Sequence, residues 1–179
     1  MENAFSFDII KAIIGLGNPG AQYAHNRHSI GFRIVDELAN CYGGQWQSNE
    51  TMAYATVRIG EHEVYLIKPL TFMNNSGRVV PWLQKKGIKS EQVVVAHDEL
   101  EKEFGTVLLR FAGSHKGHNG LKSLIGVMGA DFWHLKFGIS RPADRNEVPQ
   151  YVLSNFTRDE EARVPELVDQ AIASLTGGR

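Results

Sequence analysis

The feature that most constrains this chain is an apolar run that empties into a glycine-rich polar loop. Ile9 to Leu16 is apolar apart from Lys11, and it leads into Gly15-Leu16-Gly17-Asn18-Pro19-Gly20. Apolar runs of this length bounded by Gly and Pro are buried strands, so residues 8–16 are expected to form one. The loop that follows carries Asn18, Tyr23, His25, Arg27 and His28 before the next apolar pattern begins. Loops fixed to a rigid strand end are where binding and catalytic groups concentrate.

The remaining pattern alternates between strands and helices. Ile30, Ile34, Val35, Leu38, Ala39 and Tyr42 recur at helical spacing until Gly43-Gly44 stops them, with Ser29 placed to cap the helix through its hydroxyl. Residues 52–60 and 63–68 alternate as a hairpin, and a helix is expected over 76–86, ended by Gly87. Gln92 to Ala96 is a short strand closed by His97-Asp98-Glu99-Leu100, and Thr106 to Phe111 is another strand. A glycine-rich loop from Ala112 opens a helix over 120–129. Phe132 to Ile139 is the last strand, residues 140–149 a polar linker, and the tail from Thr157 an amphipathic helix. The expected fold is α/β, a single-domain sandwich of helices around a twisted mixed β-sheet spanning 1–179.

The length of 179 residues suits one domain with a sizeable core. With 42% hydrophobic and 22% charged residues, disordered and collagen-like classes drop out. Cys41 is the only cysteine, which excludes an intrachain disulfide and points to a reducing compartment. The N-terminus lacks a positively charged n-region, and no run approaches membrane-spanning length, so the protein is expected in the cytoplasm, off the membrane. A net charge of -1 gives no global pull toward nucleic acid. Between residues 110 and 141, however, five Lys/Arg face one acid, Asp131, a local charge of +4 (5 − 1).

Four strand exits carry unusual polar residues: Asn18 to His28, Met73-Asn74, His97-Asp98 and His118-Asn119. In open α/β sheets such exits gather ligands at the carboxyl ends of the strands. An imidazole oriented by a carboxylate can take a proton from water, and carboxamides can hold a carbonyl or a developing oxyanion. No serine sits in a nucleophile-elbow pattern, so water is the expected nucleophile.

Two other readings compete. Gly15-Leu16-Gly17-Asn18-Pro19-Gly20 fits the dinucleotide-binding fingerprint, but that motif needs a helix opening at the glycines, and the helical pattern starts only at Ser29. His115 and His118 have metal-ligand spacing, yet a zinc site would need further ligands on firm elements, so they are read as loop histidines that bond backbone or substrate. His25, His62 and His134 are read as surface or sheet histidines without a chemical role. Trp46, Trp82 and Trp133 are read as packing residues.

Six blocks in register resemble the bacterial peptidyl-tRNA hydrolase family. They are Gly15 to Gly20, Arg27-His28, Thr71 to Gly77, His97 to Leu100, Gly117 to Lys122, and Gly138 to Pro142. The resemblance implies hydrolysis of the ester joining a peptide, or N-blocked amino acid, to the 3′-terminal ribose of tRNA. It implies His28 as the catalytic histidine and Asp98 as the carboxylate that orients it. Asn18 and Asn74 match asparagines of the active centre, Asn119 a residue that contacts substrate and supports the water, and Tyr23 and Met73 positions lining the cleft. Arg110, Lys116, Lys122, Lys136 and Arg141 fall where the family grips tRNA phosphates. The expected partner is the acceptor stem and 3′ end of peptidyl-tRNA, the expected state a monomer, and no metal or organic cofactor is implied. One departure is Ser29, where the family usually has Asn. The family fold also occurs in plant organelle splicing factors, in which partner binding replaces hydrolysis, and this remains the alternative.

Overall fold

The computed structural model describes residues 4–178; residues 1–3 and 179, the ends of the expected domain, lie outside the described residues. The strands are β1 (Ala12–Gly15), β2 (Gln47–Ser48), β3 (Met52–Ile59), β4 (His62–Pro69), β5 (Val93–Glu99), β6 (Val107–Phe111) and β7 (Trp133–Gly138). They form one seven-stranded sheet in the order β2-β3-β4-β1-β5-β7-β6. The pairs β4–β1, β1–β5 and β5–β7 are parallel, while β2–β3, β3–β4 and β6–β7 are antiparallel. Four neighbouring parallel strands therefore end at one edge, and the loops leaving β1, β4, β5 and β7 emerge side by side.

Alternation along the central strands builds two cores. Ile13, Val94 and Ala96 face one side of the sheet, against Ile30, Ile34, Leu38, Val168 and Ile172. Ala12, Ile14, Val93 and Val95 face the other, against Leu83, Leu124 and Phe132. Side chains on a strand alternate faces, so a strand covered on both sides must be apolar at every position. The helices covering the first face are α1 (Ile30–Tyr42) and α5 (Arg158–Thr176); those on the second are α2 (Val80–Lys85) and α3 (Asn119–Met128). Helix α5 begins with a reciprocal cap: Thr157 Oγ1 accepts from Glu160 N–H and Glu160 Oε1 from Thr157 N–H.

Helix α1 lies directly against the sheet backbone. A methyl group on Gly31 would sit 2.3 Å from the Ala96 carbonyl oxygen, and one on Gly15 would sit 2.1 Å from the Gly31 carbonyl oxygen. The two glycines let α1 close on β1 and β5, which carries the turn before α1 to the end of β5.

Four expectations need correction. The strand predicted over 8–16 is shorter, because Phe7–Ile9 turns as a 3-10 helix and leaves Ile9 45% exposed. Residues His97 to Glu99 do not close β5 as a loop; they continue it, all buried and paired with β7. The helix expected over 76–86 starts earlier, as a 3-10 stretch at Met73–Val79 running into α2. The polar linker ends in a short helix, α4 (Val148–Val152). Among the described residues, no helix is long and apolar enough to cross a membrane.

Candidate active site

Asp98 stands near the carboxyl end of β5, 3% exposed, with both oxygens 3.0 Å from His28 Nδ1. His28 occupies a 3-10 turn, Arg27–Ser29, immediately before α1. An ionised carboxylate only accepts, so the proton between them sits on His28 Nδ1 and leaves Nε2 with a free lone pair. Burial by itself would lower the His28 pKa; the charge and hydrogen bond of Asp98 outweigh it and hold it above the ordinary 6.5. For Asp98, burial pushes upward, but His28 and His118 together pull it far below the usual carboxylate range.

His118 is the second partner of Asp98, its Nε2 lying 2.8 Å from Oδ1. Its other nitrogen, Nδ1, accepts from the backbone N–H groups of Gly120 and Leu121 at 3.1 and 3.3 Å, capping α3. This double duty fixes its proton on Nε2, where it can only donate to Asp98. The same logic extends behind the site. His97 Nδ1 donates to the Asp98 carbonyl oxygen at 2.8 Å, and His134 Nδ1 donates to His97 Nε2 at 2.9 Å. His134 Nε2 is buried with no partner among the described residues. Burial, with the nearby charge of His118, lowers His97 to about 4; burial, with His97 and Lys136 nearby, lowers His134 to about 3.

A cleft of about 420 Å³ opens in front of this cluster. His28, Asp98, His118 and Asn119 form its floor side, and Val148, Pro149 and Val152 of α4 its apolar wall. Lys116, Lys136, Arg141 and Arg145 supply positive charge on its lining, with Glu99 and Glu101 beside them.

Asn18 is tied to the His28 turn through Ser29. Its N–H donates to Ser29 Oγ at 3.1 Å, and its Oδ1 accepts from Met73 N–H at 2.9 Å. With Oδ1 turned to Met73, the side-chain NH₂ is left available to donate. Ser29 is the cap residue of α1 but makes no side-chain cap bond, because its hydroxyl is spent on Asn18. Tyr23 packs edge-on to Phe72 with ring centroids 6.2 Å apart, and Phe72 is 53% exposed at φ 59. Asn74 is exposed at the start of the 3-10 stretch. Met73 does not line the cleft: it is 3% exposed, packed in the second core with its sulfur against Gly120.

Nearly the whole chain, residues 12–177, matches the family model for peptidyl-tRNA hydrolase. The chain belongs to the peptidyl-tRNA hydrolase family. The enzyme of that name from Paracoccus denitrificans is 41% identical over 174 residues, covering 94% of this chain and 74% of that one. The Aquifex aeolicus enzyme is 38% identical over 169 residues, 93% of this chain and 88% of its own. A mutant peptidyl-tRNA hydrolase from Acinetobacter baumannii superposes with a TM-score of 0.91 at 34% identity, covering 97% and 90% of the two chains.

Within this peptidyl-tRNA hydrolase fold, His28, Asp98 and Asn119 border one cleft, whereas Asn18, Tyr23 and Asn74 are not among its lining residues; Asn18 is tied to the His28 turn through Ser29. His118, read from sequence as a loop histidine, is part of the cluster; its signal was the glycine loop opening a helix with a histidine in the cap position. His134 is buried in the sheet. The expected phosphate contacts divide. Lys136 pairs with Glu99 at 3.3 Å, and Arg141 with Glu101, whereas Arg110, Lys116 and Lys122 are exposed and without an ion pair among the described residues. The dinucleotide reading fails on packing: Gly15 and Gly17 make room for Gly31 and Phe32 of α1 and do not open a helix. His28, Asp98 and His118 bring three ligand atoms within 4.8 Å of one another. A cation there would need lone pairs on the two nitrogens that carry protons, and His118 cannot move its proton without losing the α3 cap. The cluster is better suited to handling a proton than to holding a metal.

Proposed function

We propose that this protein hydrolyses the ester between a peptide, or N-blocked amino acid, and the 3′-terminal ribose of tRNA, with His28 as general base. The observation that carries the reading is the buried His28–Asp98 pair, 3.0 Å apart and bordering a cleft, in a chain of this family. His28 Nε2 takes a proton from water as its oxygen attacks the ester carbonyl. Asp98 fixes the tautomer and stabilises the imidazolium that forms. His118 donates to Oδ1 of the same carboxylate and helps hold it in place. Asn18, through its NH₂, and Asn74 stabilise the oxyanion of the tetrahedral intermediate. The imidazolium then returns its proton to the ribose oxygen as the ester bond breaks, releasing a free acid and intact tRNA.

Asn119 supports the water and the peptide backbone, and Tyr23 flanks the cleft mouth. Met73 contributes through its backbone N–H, which orients Asn18. Neutral amides solvate an ammonium poorly, which favours N-acylated substrates over free aminoacyl-tRNA. Arg110, Lys116 and Lys122 grip acceptor-stem phosphates, joined by Lys136 and Arg141 when phosphate displaces their acids. Such contacts bind without regard to sequence and weaken with salt, as an enzyme accepting every tRNA requires. A monomer in the cytoplasm is the working state for this reading, the lone cysteine supporting the cytoplasmic setting.

The deciding experiment offers N-acetyl-aminoacyl-tRNA and unblocked aminoacyl-tRNA to the wild type and to His28→Ala. Cleavage of the blocked substrate alone, lost in the variant, is expected. Tight RNA binding with no cleavage by the wild type would overturn the reading in favour of a non-enzymatic RNA binder.

A further inference from the structure

The residue before His28 is a buried arginine that the reaction does not use. Arg27 is 5% exposed. Its Nη1 donates to Ser154 Oγ at 2.5 Å and to the Asn155 carbonyl oxygen at 2.9 Å, and its Nη2 donates to Glu160 Oε1 at 2.9 Å. The guanidinium also stacks on Tyr151, 4.2 Å from the ring centroid. Its backbone N–H donates to the Ser154 carbonyl oxygen at 3.1 Å. Neighbouring residues extend the seam: Asn26 Nδ2 donates to Asn155 Oδ1 at 2.8 Å, and Phe156 N–H reaches the His25 carbonyl oxygen at 3.4 Å.

A buried ion pair is a poor device for stability alone, because desolvation consumes most of its attraction and a packed apolar side chain serves as well. What a guanidinium adds is geometry: a planar fork that admits one arrangement of its partners. Here the partners are Tyr151 in α4, Ser154 and Asn155 just after it and Glu160 in α5, and α4 is the apolar wall of the cleft. The turn holding His28 and the wall facing it are thus joined by one side chain. The Tyr151 hydroxyl, bonded to the Ile139 carbonyl oxygen, anchors the same segment to the end of β7.

We propose that Arg27 is a positioning residue for the hydrolysis: its clamp on 151–160 sets the distance and angle between the α4 wall and His28. Substrate leaning on Val148 and Val152 is thereby presented to the base in register. This proposal rests on the hydrolase reading of the site.

The test compares Arg27→Met, which keeps bulk but loses charge and fork, with Arg27→Lys, which keeps charge alone. Each is assayed on N-acetyl-aminoacyl-tRNA well below its melting temperature, alone and combined with Val148→Ala. Misplacement by a fraction of an ångström to an ångström costs rate, so kcat of Arg27→Met is expected to fall roughly 10- to 100-fold with KM little changed. Arg27→Lys is expected to recover part of the loss. Val148→Ala should raise KM in the wild type and much less in Arg27→Met, a non-additive cycle. Should Arg27→Met not fold, Ser154→Ala removes one acceptor of the fork and enters the same cycle. Additive effects, or an Arg27→Met enzyme with wild-type kcat, overturn the proposal alone. A wild type that leaves the substrate intact brings down the hydrolase reading and the proposal with it.

Discussion

Asp98 serves two imidazoles at once, and that makes it hard to replace. Asparagine could accept from His28 Nδ1 with its one oxygen, but its NH₂ would then face the N–H that His118 cannot move. Asp98→Asn is therefore expected to lower kcat by a factor on the order of 10²–10⁴ while leaving tRNA affinity nearly intact. Single-turnover rates beside filter-binding constants check this; collapsed affinity with preserved turnover would remove the orienting role. The pH profile follows the same residues. His28 must be unprotonated to act, and it lies above 6.5, so kcat/KM is expected to climb as pH rises through that raised value. Without the Asp98 charge, burial dominates, and the climb in Asp98→Asn moves below 6.5.

Among the elements, packing between α1 and the sheet decides where His28 stands. Gly31→Ala would place a methyl group 2.3 Å from the Ala96 carbonyl oxygen and 2.4 Å from the Leu16 nitrogen. Neither backbone atom can yield, so α1 must lift. The expected cost is about 1–3 kcal/mol of stability, read from a denaturant midpoint, together with a loss of rate at temperatures where the variant stays folded. Apolar periodicity revealed β1, the hairpin, α1, α3 and α5 because their inner stripes are continuous. It failed at His97 to Glu99, where polar residues suggested a loop. Those side chains are buried in a strand only because partners twenty or more positions away satisfy most of their polar atoms, a condition no local pattern can display. Ser29 was misjudged for the same reason: its hydroxyl had a better offer from Asn18.

At the scale of the whole molecule, linear charge counting misled as well. The +4 between residues 110 and 141 is offset in space by Glu99 and Glu101, which the fold returns to Lys136 and Arg141. Six matched motif blocks pointed to His28, Asp98 and Asn119, which the fold brings to one cleft, but could not say which cations were already engaged. The buried histidines also set the acid response. Unfolded, His97 and His134 titrate near 6.5; folded, they titrate near 4 and 3, so the unfolded chain binds up to two more protons between these limits. Stability is expected to fall as pH drops through this window, by about 1.4 kcal/mol per pH unit for each proton. His28 acts in the opposite sense, its stabilisation being present below 6.5 and lost as pH rises through its raised value. Urea midpoints for the wild type and His134→Phe between pH 6 and 4 test this, the variant being expected to lose about half the slope.

The turn Gly60-Glu61 between β3 and β4 sits at the start of β4, the end of the sheet opposite the edge where β1, β4, β5 and β7 finish. Eight residues of strand, about 25 Å of rigid backbone, stand between that hairpin tip and the loops that leave those strands. The tip is thus a natural handle, a place to graft a fluorophore or tether the protein to a surface without touching the working face.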